Sequence, residues 1–460
     1  MRLLYLSPVP WRSFAQRPHR FVDWFHRSTG ARVLWVDPYP TRLPRWSDLR
    51  RLSAVEPPAA SDDPPWLERL RPRSLPIEPL TGVAAANKLL WRDAFRACTA
   101  FADTPTAVIG IGKPSAFAVD LLRSLPGKRS FYDAMDDFSA FYRGVSRRAL
   151  ARREHEIVDR VTDLFASSTV LTQRWAGRHA RIRHVPNGLS TSALAAMALA
   201  VPAAASATSA ASAASAASAA SAASAASAAS AASAASIAPA ASAALAQCEP
   251  QARRVFGYVG TVGEWFDWPW IIALARARSE DLVRVIGPLF APPPSAVPAN
   301  LRIEAPLAHA QALAAMRGFD AGLIPFKVNK LTASVDPIKY YEYRGLGLPV
   351  ISSPFGEMLQ RRNEPGVFLS GIGDLAGAAQ RALAYRPEEA ETRRFGDENS
   401  WDRRFLATGL LDGRPGVRFG SAPNAAFDAS GAQAAGMAAA EAPAARAGIA
   451  ALRAWEAGAE

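Results

Sequence analysis

The 460-residue chain has little cysteine and no long apolar segment. Its two cysteines, Cys98 and Cys248, cannot form a disulfide framework, which favours a reducing compartment. No run of about 18 strongly apolar residues is available to cross a bilayer. The start, Met1–Pro8, has an apolar core too short for a signal peptide and suits a first buried strand. We therefore expect a cytoplasmic protein that can lie at the inner face of the cell membrane.

Charged residues are also scarce, and they are unevenly distributed. They make up 20% of the chain against 49% hydrophobic residues, which excludes a mainly disordered protein. Residues 1–192 contain 30 basic and 18 acidic side chains and so hold the whole formal net charge of +12. Residues 250–410, with 19 basic and 17 acidic side chains, are nearly neutral. The basic excess therefore belongs to the first part of the chain.

A low-complexity tract divides the sequence. From Ser209 to Ser236 a serine recurs at every third position, with alanines between. A period of three matches neither a helix nor a strand, so no single face of the tract can pack. The predicted organisation is a first domain at 1–192, an Ala/Ser linker at 193–250, a second domain at 251–410 and a disordered Ala/Gly-rich tail at 411–460.

Short apolar strands alternate with helical patterns on both sides of the linker. The strands of the first domain are predicted at Arg2–Leu6, Val33–Val36, Thr106–Ile111, Arg129–Tyr132, Leu164–Ser167 and Ile182–Val185. Those of the second are predicted at Val255–Val259, Val283–Ile286, Leu301–Glu304, Ala321–Ile324, Pro349–Ile351 and Gly366–Leu369. This alternation predicts an α/β fold class, with two Rossmann-like domains whose parallel sheets are covered on both faces. Ligands of such sheets bind at the carboxyl ends of the strands, here in an interdomain cleft.

The segment from Val335 to Ile351 is the most informative about ligand binding. Pro337 suits the first turn of a helix, and Lys339 and Glu342 lie three residues apart on one of its faces. A lysine near a helix N-terminus suits a diphosphate, and a carboxylate one turn later suits the hydroxyls of a ribose. The alternative is a surface ion pair between the two residues, which contributes little.

A glycine-rich loop follows the first strand of the second domain. Gly257, Gly260 and Gly263 are spaced by three, so backbone N–H groups there can approach a phosphate. A plain turn between a strand and a helix fits this spacing equally well. The pattern is not the dinucleotide fingerprint, and no Gly-Lys-Ser/Thr follows, as a P-loop requires.

These segments resemble glycosyltransferases with two Rossmann-like domains, the GT-B fold. Glu342 and the following Gly347-Leu348-Pro349-Val350 resemble the nucleotide-sugar signature of that superfamily. Further resemblances to its strands and loops lie at Phe256–Asp267, Val285–Pro288, Phe319–Phe326 and Val185–Gly188. Tyr132–Phe138 resembles a subgroup that includes teichuronic-acid and exopolysaccharide glycosyltransferases.

The resemblance implies a set of donor-binding residues. These are Gly260, Thr261, Gly263, Gly287, Asp336, Lys339 and Glu342. The chain departs from the family at Ser334, where many retaining members have a second carboxylate, and we expect Asp336 to substitute for it. Phe266 and Asp267 stand where those members have a lysine. Lys339 is therefore expected to be the main cation for the diphosphate, and no metal or cofactor is implied.

Three aspartates, Asp133, Asp136 and Asp137, follow the strand that is predicted to end at Tyr132. In a loop facing the cleft, one of them can accept the proton of an acceptor hydroxyl or hydrogen-bond the donor sugar. The alternative is that Asp136 or Asp137 caps a helix. A metal-binding Asp-x-Asp triplet does not fit their spacing.

The acceptor side is predicted from the loop after the first strand. Arg17, His19 and Arg20 lie in a phrase that resembles a Gln-Arg-Pro motif of the same subgroup, and they suit an anionic acceptor. A solvated basic loop is the alternative.

The sequence thus predicts transfer of a sugar from a nucleoside diphosphate sugar to a surface or extracellular polysaccharide acceptor that is lipid-linked. The basic first domain suits an anionic membrane surface. The alternatives are a nucleotide-sugar epimerase of the same fold and a non-catalytic nucleotide-sugar-binding protein. Nucleic acid is not expected as a partner, because the chain has no phrase of a known nucleic-acid-binding module.

Overall fold

The computed structural model describes most of the two predicted domains. The described residues are 1–13, 15–39, 41, 63–75, 82–191, 194, 253–294 and 296–412. The predicted linker and tail lie outside them, apart from Leu194, Leu411 and Asp412. Every helix in the described part is too short or too polar to cross a lipid bilayer.

Two parallel sheets form the framework, which confirms the predicted fold class. The first sheet has the order β3-β2-β1-β4-β5-β6-β7 and the second the order β10-β9-β8-β11-β12-β13. The strands of the first sheet are β1 Arg2–Leu6, β2 Arg32–Val36, β3 Leu67–Leu70, β4 Ala107–Ile111, β5 Arg129–Ala134, β6 Asp163–Ala166 and β7 Ile182–His184. Those of the second are β8 Val255–Val259, β9 Leu282–Ile286, β10 Leu301–Glu304, β11 Ala321–Ile324, β12 Val350–Ser352 and β13 Val367–Leu369.

Helices connect the strands and cover both sheets. Those of the first half are α1 Arg17–Thr29, α2 Val83–Leu90, α3 Arg92–Ala102, α4 Ala116–Ser124, α5 Gly144–Arg160 and α6 Thr169–Ala176. Those of the second half are α7 Trp268–Ala277, α8 His309–Arg317, α9 Ile338–Gly345, α10 Gly356–Gln360, α11 Leu375–Ala384, α12 Glu389–Glu398 and α13 Trp401–Leu406. Single 3₁₀ turns lie at Phe138–Phe141, Thr332–Ser334 and Ile372–Asp374.

The central strand of the first sheet is apolar along its whole length because helices cover both sheet faces. Strand β4, Ala-Val-Ile-Gly-Ile, is buried at every position. Its Gly110 is required by packing, since a Cβ there would lie 2.6 Å from the rings of both Tyr5 and Phe131. Sequence patterning missed β3, because its two central residues, Glu68 and Arg69, are charged and exposed. Such a pattern is typical of an edge strand.

The chain returns to the first sheet after the second is complete. In α13 the Phe405 ring packs 5.2 Å from that of Phe21 and 5.6 Å from that of Trp24, both in α1. Arg27 of α1 also forms an ion pair with Asp402 at 2.8 Å. Helix α13 therefore packs with the first half of the chain, although the sequence boundaries assign residues up to 410 to the second domain.

We predict that Phe405→Ala lowers the free energy of unfolding by about 3–5 kcal/mol, because it leaves a cavity in place of a fully buried ring. Urea denaturation measures the change. Arg403→Ala, at an exposed position of the same helix, serves as the control. Equal stability of the two variants would show that this contact does not hold the crossing helix.

Candidate functional site

A cavity of about 500 Å³ lies between the two sheets, and residues of both line it. The first half of the chain contributes, among others, Gln16, Arg17, Met135, Asp136 and Phe141. The second half contributes, among others, Gly260, Thr261, Trp265, Gly287, Phe326, Asp336 and Lys339. Several of these residues follow the carboxyl ends of β5, β8 and β9, which is where open α/β sheets bind ligands.

Two glycines bring the loops after β8 and β9 together. Gly260 and Gly287 have φ of 157° and 144°, conformations that favour glycine. A Cβ on Gly287 would lie 2.1 Å from the carbonyl oxygen of Gly260. Both glycines and Thr261 line the cavity, as a phosphate-approaching loop would. Gly263 does not line it, and a Cβ there would meet the Trp265 ring at 2.6 Å.

Lys339 and Glu342 occupy successive turns of α9. Lys339 lies in the first turn and lines the cavity. Its Nζ donates a hydrogen bond to Oε2 of Glu342, which is buried. Glu342 lines a smaller adjoining cavity of about 30 Å³ together with Arg20 and His309. The two residues therefore share a helix face and form the ion pair that the spacing allows.

Arg17 and Asp133 form a buried ion pair. The Nη2 and Nε atoms of Arg17 donate to the Asp133 carboxylate at 2.8 and 3.0 Å, and Arg17 is only 3% exposed. This placement corrects two expectations. Asp133 lies within β5, which continues to Ala134, and not in a loop that faces the cleft. Arg17 begins helix α1 and is not part of an open loop.

The Arg17 guanidinium also donates hydrogen bonds to the segment that contacts the second half of the chain. Nη1 of Arg17 donates to the carbonyl oxygen of Val185 at 2.8 Å and to Oδ1 of Asn187 at 3.3 Å. The backbone N–H of Asn187 donates to Oδ2 of Asp336 at 2.6 Å, and its Nδ2 donates to the Asp336 carbonyl oxygen at 2.7 Å. Asn187 therefore connects the two halves directly.

Asp336 is held from its own side as well. Nη2 of Arg361 donates to Oδ1 at 2.7 Å, and the Tyr341 hydroxyl donates to Oδ2 at 3.0 Å. With its carboxylate so engaged, Asp336 fixes the cavity wall and presents no vacant carboxylate for a donor sugar. We call the five buried residues Arg17, Asp133, Asn187, Asp336 and Arg361 the interdomain clamp.

A second polar contact joins the halves at α6. Oε1 of Glu357 accepts hydrogen bonds from the backbone N–H of Thr169 at 2.7 Å and from its hydroxyl at 2.6 Å. Thr169 is the first residue of α6, so a carboxylate of the second half neutralises a helix N-terminus of the first. The two halves also approach each other closely at Gly188, since a Cβ there would lie 2.8 Å from the Asn399 carbonyl oxygen.

The two remaining aspartates of the trio have different environments. Asp137 caps the 3₁₀ turn Phe138–Phe141, where it accepts from Ser139 and Ala140, and it pairs with Arg174 at 3.0 Å. Burial opposes ionisation there, but the Ser139 and Arg174 contacts keep the pKa of Asp137 below its usual value. Asp137 thus has the capping role that was the alternative for it.

Asp136 differs because its carboxylate faces the cavity. No described residue forms a hydrogen bond or ion pair with this carboxylate. Burial, reinforced by the nearby charges of Asp133 and Asp137 and opposed by Arg17, raises the pKa of Asp136 to about 7. A carboxyl group that titrates near neutrality can exchange protons with a bound substrate.

His19 and Arg20 lie away from this cavity wall. Nδ1 of His19 accepts from the Gln16 backbone N–H at 3.2 Å, and Nε2 faces the Trp11 carbonyl oxygen at 2.9 Å. Burial lowers the pKa of His19. His19 therefore organises the start of α1, while Arg20 borders the smaller cavity beside Glu342. The expected trio of acceptor cations is thus divided among three environments.

Sequence reasoning did not identify Asn187 or Glu357 as joining the halves, or Arg361 as the counter-charge of Asp336. Asn187 lay within the recognised Val185–Gly188 phrase, but its partner Asp336 is 149 residues away. Nothing in the local pattern around Arg361 or Glu357 indicates a buried polar contact. Among the described residues no group of three His, Cys, Asp or Glu side chains is placed to hold a metal ion.

Comparisons with solved structures define the fold. Sucrose-phosphate synthase from Thermosynechococcus elongatus superposes with a TM-score of 0.53 at 13% identity, covering 89% of this chain and 98% of that one. HepE from Anabaena, in complex with UDP-glucose, gives 0.51 at 10%, covering 89% and 98%. An α,α-trehalose-phosphate synthase (UDP-forming) from Burkholderia xenovorans, in complex with glucose-6-phosphate, gives 0.50 at 11%, covering 89% and 99%.

No model of a known protein family matches the chain, and no curated protein matches it in sequence. The structural neighbours are GT-B glycosyltransferases. The chain therefore has the GT-B fold, and the predicted resemblance is confirmed at the level of the fold.

We predict that Asp336→Asn lowers the free energy of unfolding by about 3–5 kcal/mol, because it leaves the buried Arg361 guanidinium without its counter-charge. Chemical denaturation measures the loss. Asp374→Asn is the matched control, since its ion pair with Arg381 is more than half exposed and contributes at most about 1 kcal/mol. Similar losses for the two variants would contradict a structural role for the clamp.

Proposed function

We propose that this protein is a glycosyltransferase that uses a nucleoside diphosphate sugar as donor. The observation that carries the proposal is the composition of the 500 Å³ cavity. One wall offers two close-packed glycine loops and Lys339, and the other offers the unpaired carboxyl of Asp136. The volume is in the range of small-molecule sites. One structural neighbour of this fold, HepE, contains UDP-glucose, which supports a nucleoside diphosphate sugar as the ligand here.

The donor is proposed to lie against the second sheet. The backbone N–H of Thr261 and the ammonium group of Lys339 would hold the diphosphate. Gly260 and Gly287 would let it approach closely, since their own N–H groups donate to the carbonyl oxygens of Ile286 and Glu304. Glu342 would exchange its bond with Lys339 for bonds to the ribose hydroxyls, which leaves Lys339 to the diphosphate. Since Arg17 is engaged by Asp133, Lys339 would supply most of the positive charge.

The transfer step needs a leaving group and a base. The acceptor oxygen bonds to the anomeric carbon while the bond from that carbon to the diphosphate oxygen breaks. The diphosphate leaves as an anion, which Lys339 and the backbone N–H of Thr261 stabilise. The proton of the acceptor hydroxyl passes to Asp136, whose pKa near neutrality suits this role.

The acceptor is proposed to be a surface or extracellular polysaccharide carried on a lipid, reached from the cytoplasmic side. The support is the distribution of charge: the first half of the chain, with 30 basic and 18 acidic residues, would meet the acceptor. A basic surface suits the phosphates of a lipid-linked glycan at an anionic membrane.

We predict that nucleoside diphosphate sugars raise the melting temperature of the protein. Lys339→Ala and Glu342→Ala should each weaken donor binding at least tenfold, because one removes the diphosphate cation and the other the ribose acceptor. Thermal-shift titration with a panel of donors measures both effects. Lys330→Ala is the control, since Lys330 is exposed and does not line the cavity.

Failure of every nucleoside diphosphate sugar to stabilise the wild-type protein would contradict the proposed donor class. Product analysis then separates the alternatives. An altered sugar still attached to its nucleotide indicates an epimerase, and tight binding without any turnover indicates a non-catalytic binding protein.

We predict that Asp136→Asn lowers kcat by 10²- to 10⁴-fold, the usual range for a lost general base, with little change in donor affinity. In the wild type, kcat/KM should rise with pH through about 7, because only the deprotonated carboxylate can accept the proton. A transfer assay across pH 5–9 measures both. Asp103→Asn, at an exposed position outside the cavity, should retain the wild-type rate and profile. An unchanged pH profile in Asp136→Asn would contradict the assignment.

A further inference from the structure

The segment 141–152 forms a basic and apolar surface at the edge of the cavity. Phe141 lines the cavity and is 38% exposed, and Val145 in the first turn of α5 is 54% exposed. The segment contains four arginines and no acidic residue. We call residues 141–152 the docking segment.

The arginines of the docking segment are available to an external partner. Arg143, Arg147, Arg148 and Arg152 are exposed, and no described residue forms an ion pair or hydrogen bond with their side chains. Like charges three or four residues apart on a helix, such as Arg148 and Arg152, repel each other unless an external anion compensates them.

The other end of α5 shows the contrast. There Glu156 pairs with Arg123 and Arg160, and Asp159 pairs with Arg178. The charges of the C-terminal half of the helix are therefore compensated within the protein. Unpaired charge is concentrated in the half that is nearer the cavity.

The apolar and basic side chains share one helix face. Val145, Arg148 and Arg152 are related as i, i+3 and i+7, a spacing that places them along one side of α5. A surface that combines exposed apolar side chains with unpaired cations fits an anionic lipid bilayer, where the apolar groups enter the interface and the arginines meet the headgroups. A soluble polyanion would use the cations alone.

The opposite wall of the cavity has a similar rim. Phe326 and Leu331 line the cavity, and between them Val328 is 65% exposed and flanked by Lys327 and Lys330. Each wall of the cavity therefore carries an exposed apolar side chain beside cations. A bilayer that contacts both rims would face the cavity opening.

We propose that the docking segment binds the surface of an anionic membrane and so places the cavity next to the lipid headgroups. The surface consists of the exposed side chains of the docking segment. Only its use, delivery of a lipid-linked acceptor, rests on the proposed function.

Sedimentation of the full chain with vesicles tests the proposal. The vesicles are phosphatidylcholine alone or phosphatidylcholine with about one third phosphatidylglycerol, at low and moderate salt. We expect binding to the anionic vesicles only, with weakening as salt rises. Since each basic side chain near an anionic surface contributes about fivefold to affinity, Arg148→Gln/Arg152→Gln should weaken binding about 25-fold. Val145→Ser should weaken it as well.

The matched control is Arg276→Gln/Arg302→Gln, which removes the same charge from exposed positions of the second half. Its binding should stay within twofold of the wild type. Three results would overturn the proposal: no binding of the wild type to anionic vesicles, equal binding to both vesicle types, or equal weakening by the control pair.

Donor binding, measured by thermal shift with soluble nucleoside diphosphate sugars, separates this inference from the proposed function. The Arg148→Gln/Arg152→Gln protein should bind donor as the wild type does, because neither arginine lines the cavity. A wild type that binds donor but no vesicles would refute only the docking surface. One that binds vesicles but no donor would refute only the proposed donor chemistry.

Discussion

The relative placement of the two sheets depends on the interdomain clamp. Two buried carboxylates, Asp133 and Asp336, each neutralise one buried guanidinium, and Asn187 joins the two pairs through backbone and side-chain hydrogen bonds. A buried ion pair adds little net stability over an apolar packing, but removal of one partner is strongly destabilising. The clamp therefore selects one arrangement of the sheets, and with it the separation of Asp136 from Lys339 across the cavity.

The aspartate trio shows how neighbouring residues of one type acquire different properties. The charge of Asp133 is neutralised by Arg17, and that of Asp137 by Arg174. Asp137 also accepts a hydrogen bond from the backbone N–H of Ala140, which caps the 3₁₀ turn. Asp136 has neither kind of partner among the described residues, so burial dominates and its pKa rises to about 7. The two flanking residues hold the backbone in place and add negative charge beside Asp136. Asp136 can therefore exchange protons because it lacks neutralising partners among the described residues, and not because another residue activates it.

Sequence reasoning located nearly all of the fold and only part of the site. Short segments containing apolar residues marked every strand except β3, whose charged centre hid it. Strand β5 continues past its predicted end at Tyr132, and α1 begins at Arg17, inside the expected loop. Those small errors mattered for the site, because they moved Asp133 and Arg17 from loops into packed elements. Their pairing, and that of Asn187 with Asp336, joins positions more than 100 residues apart. No local period encodes such contacts. Gly260, Gly287 and Lys339 line the cavity, because their placement depends on local backbone geometry, which short-range spacing does record. Their part in donor binding stays a prediction.

The central claim is that the cavity between the sheets holds the diphosphate of a nucleotide sugar. Its most direct test is a crystal structure of the protein with a nucleoside diphosphate. We predict a diphosphate within hydrogen-bond distance of Lys339 Nζ and of the Thr261 backbone N–H, and in contact with Gly260 and Gly287. A diphosphate bound elsewhere on the protein, or one that leaves Lys339 paired only with Glu342, would contradict it.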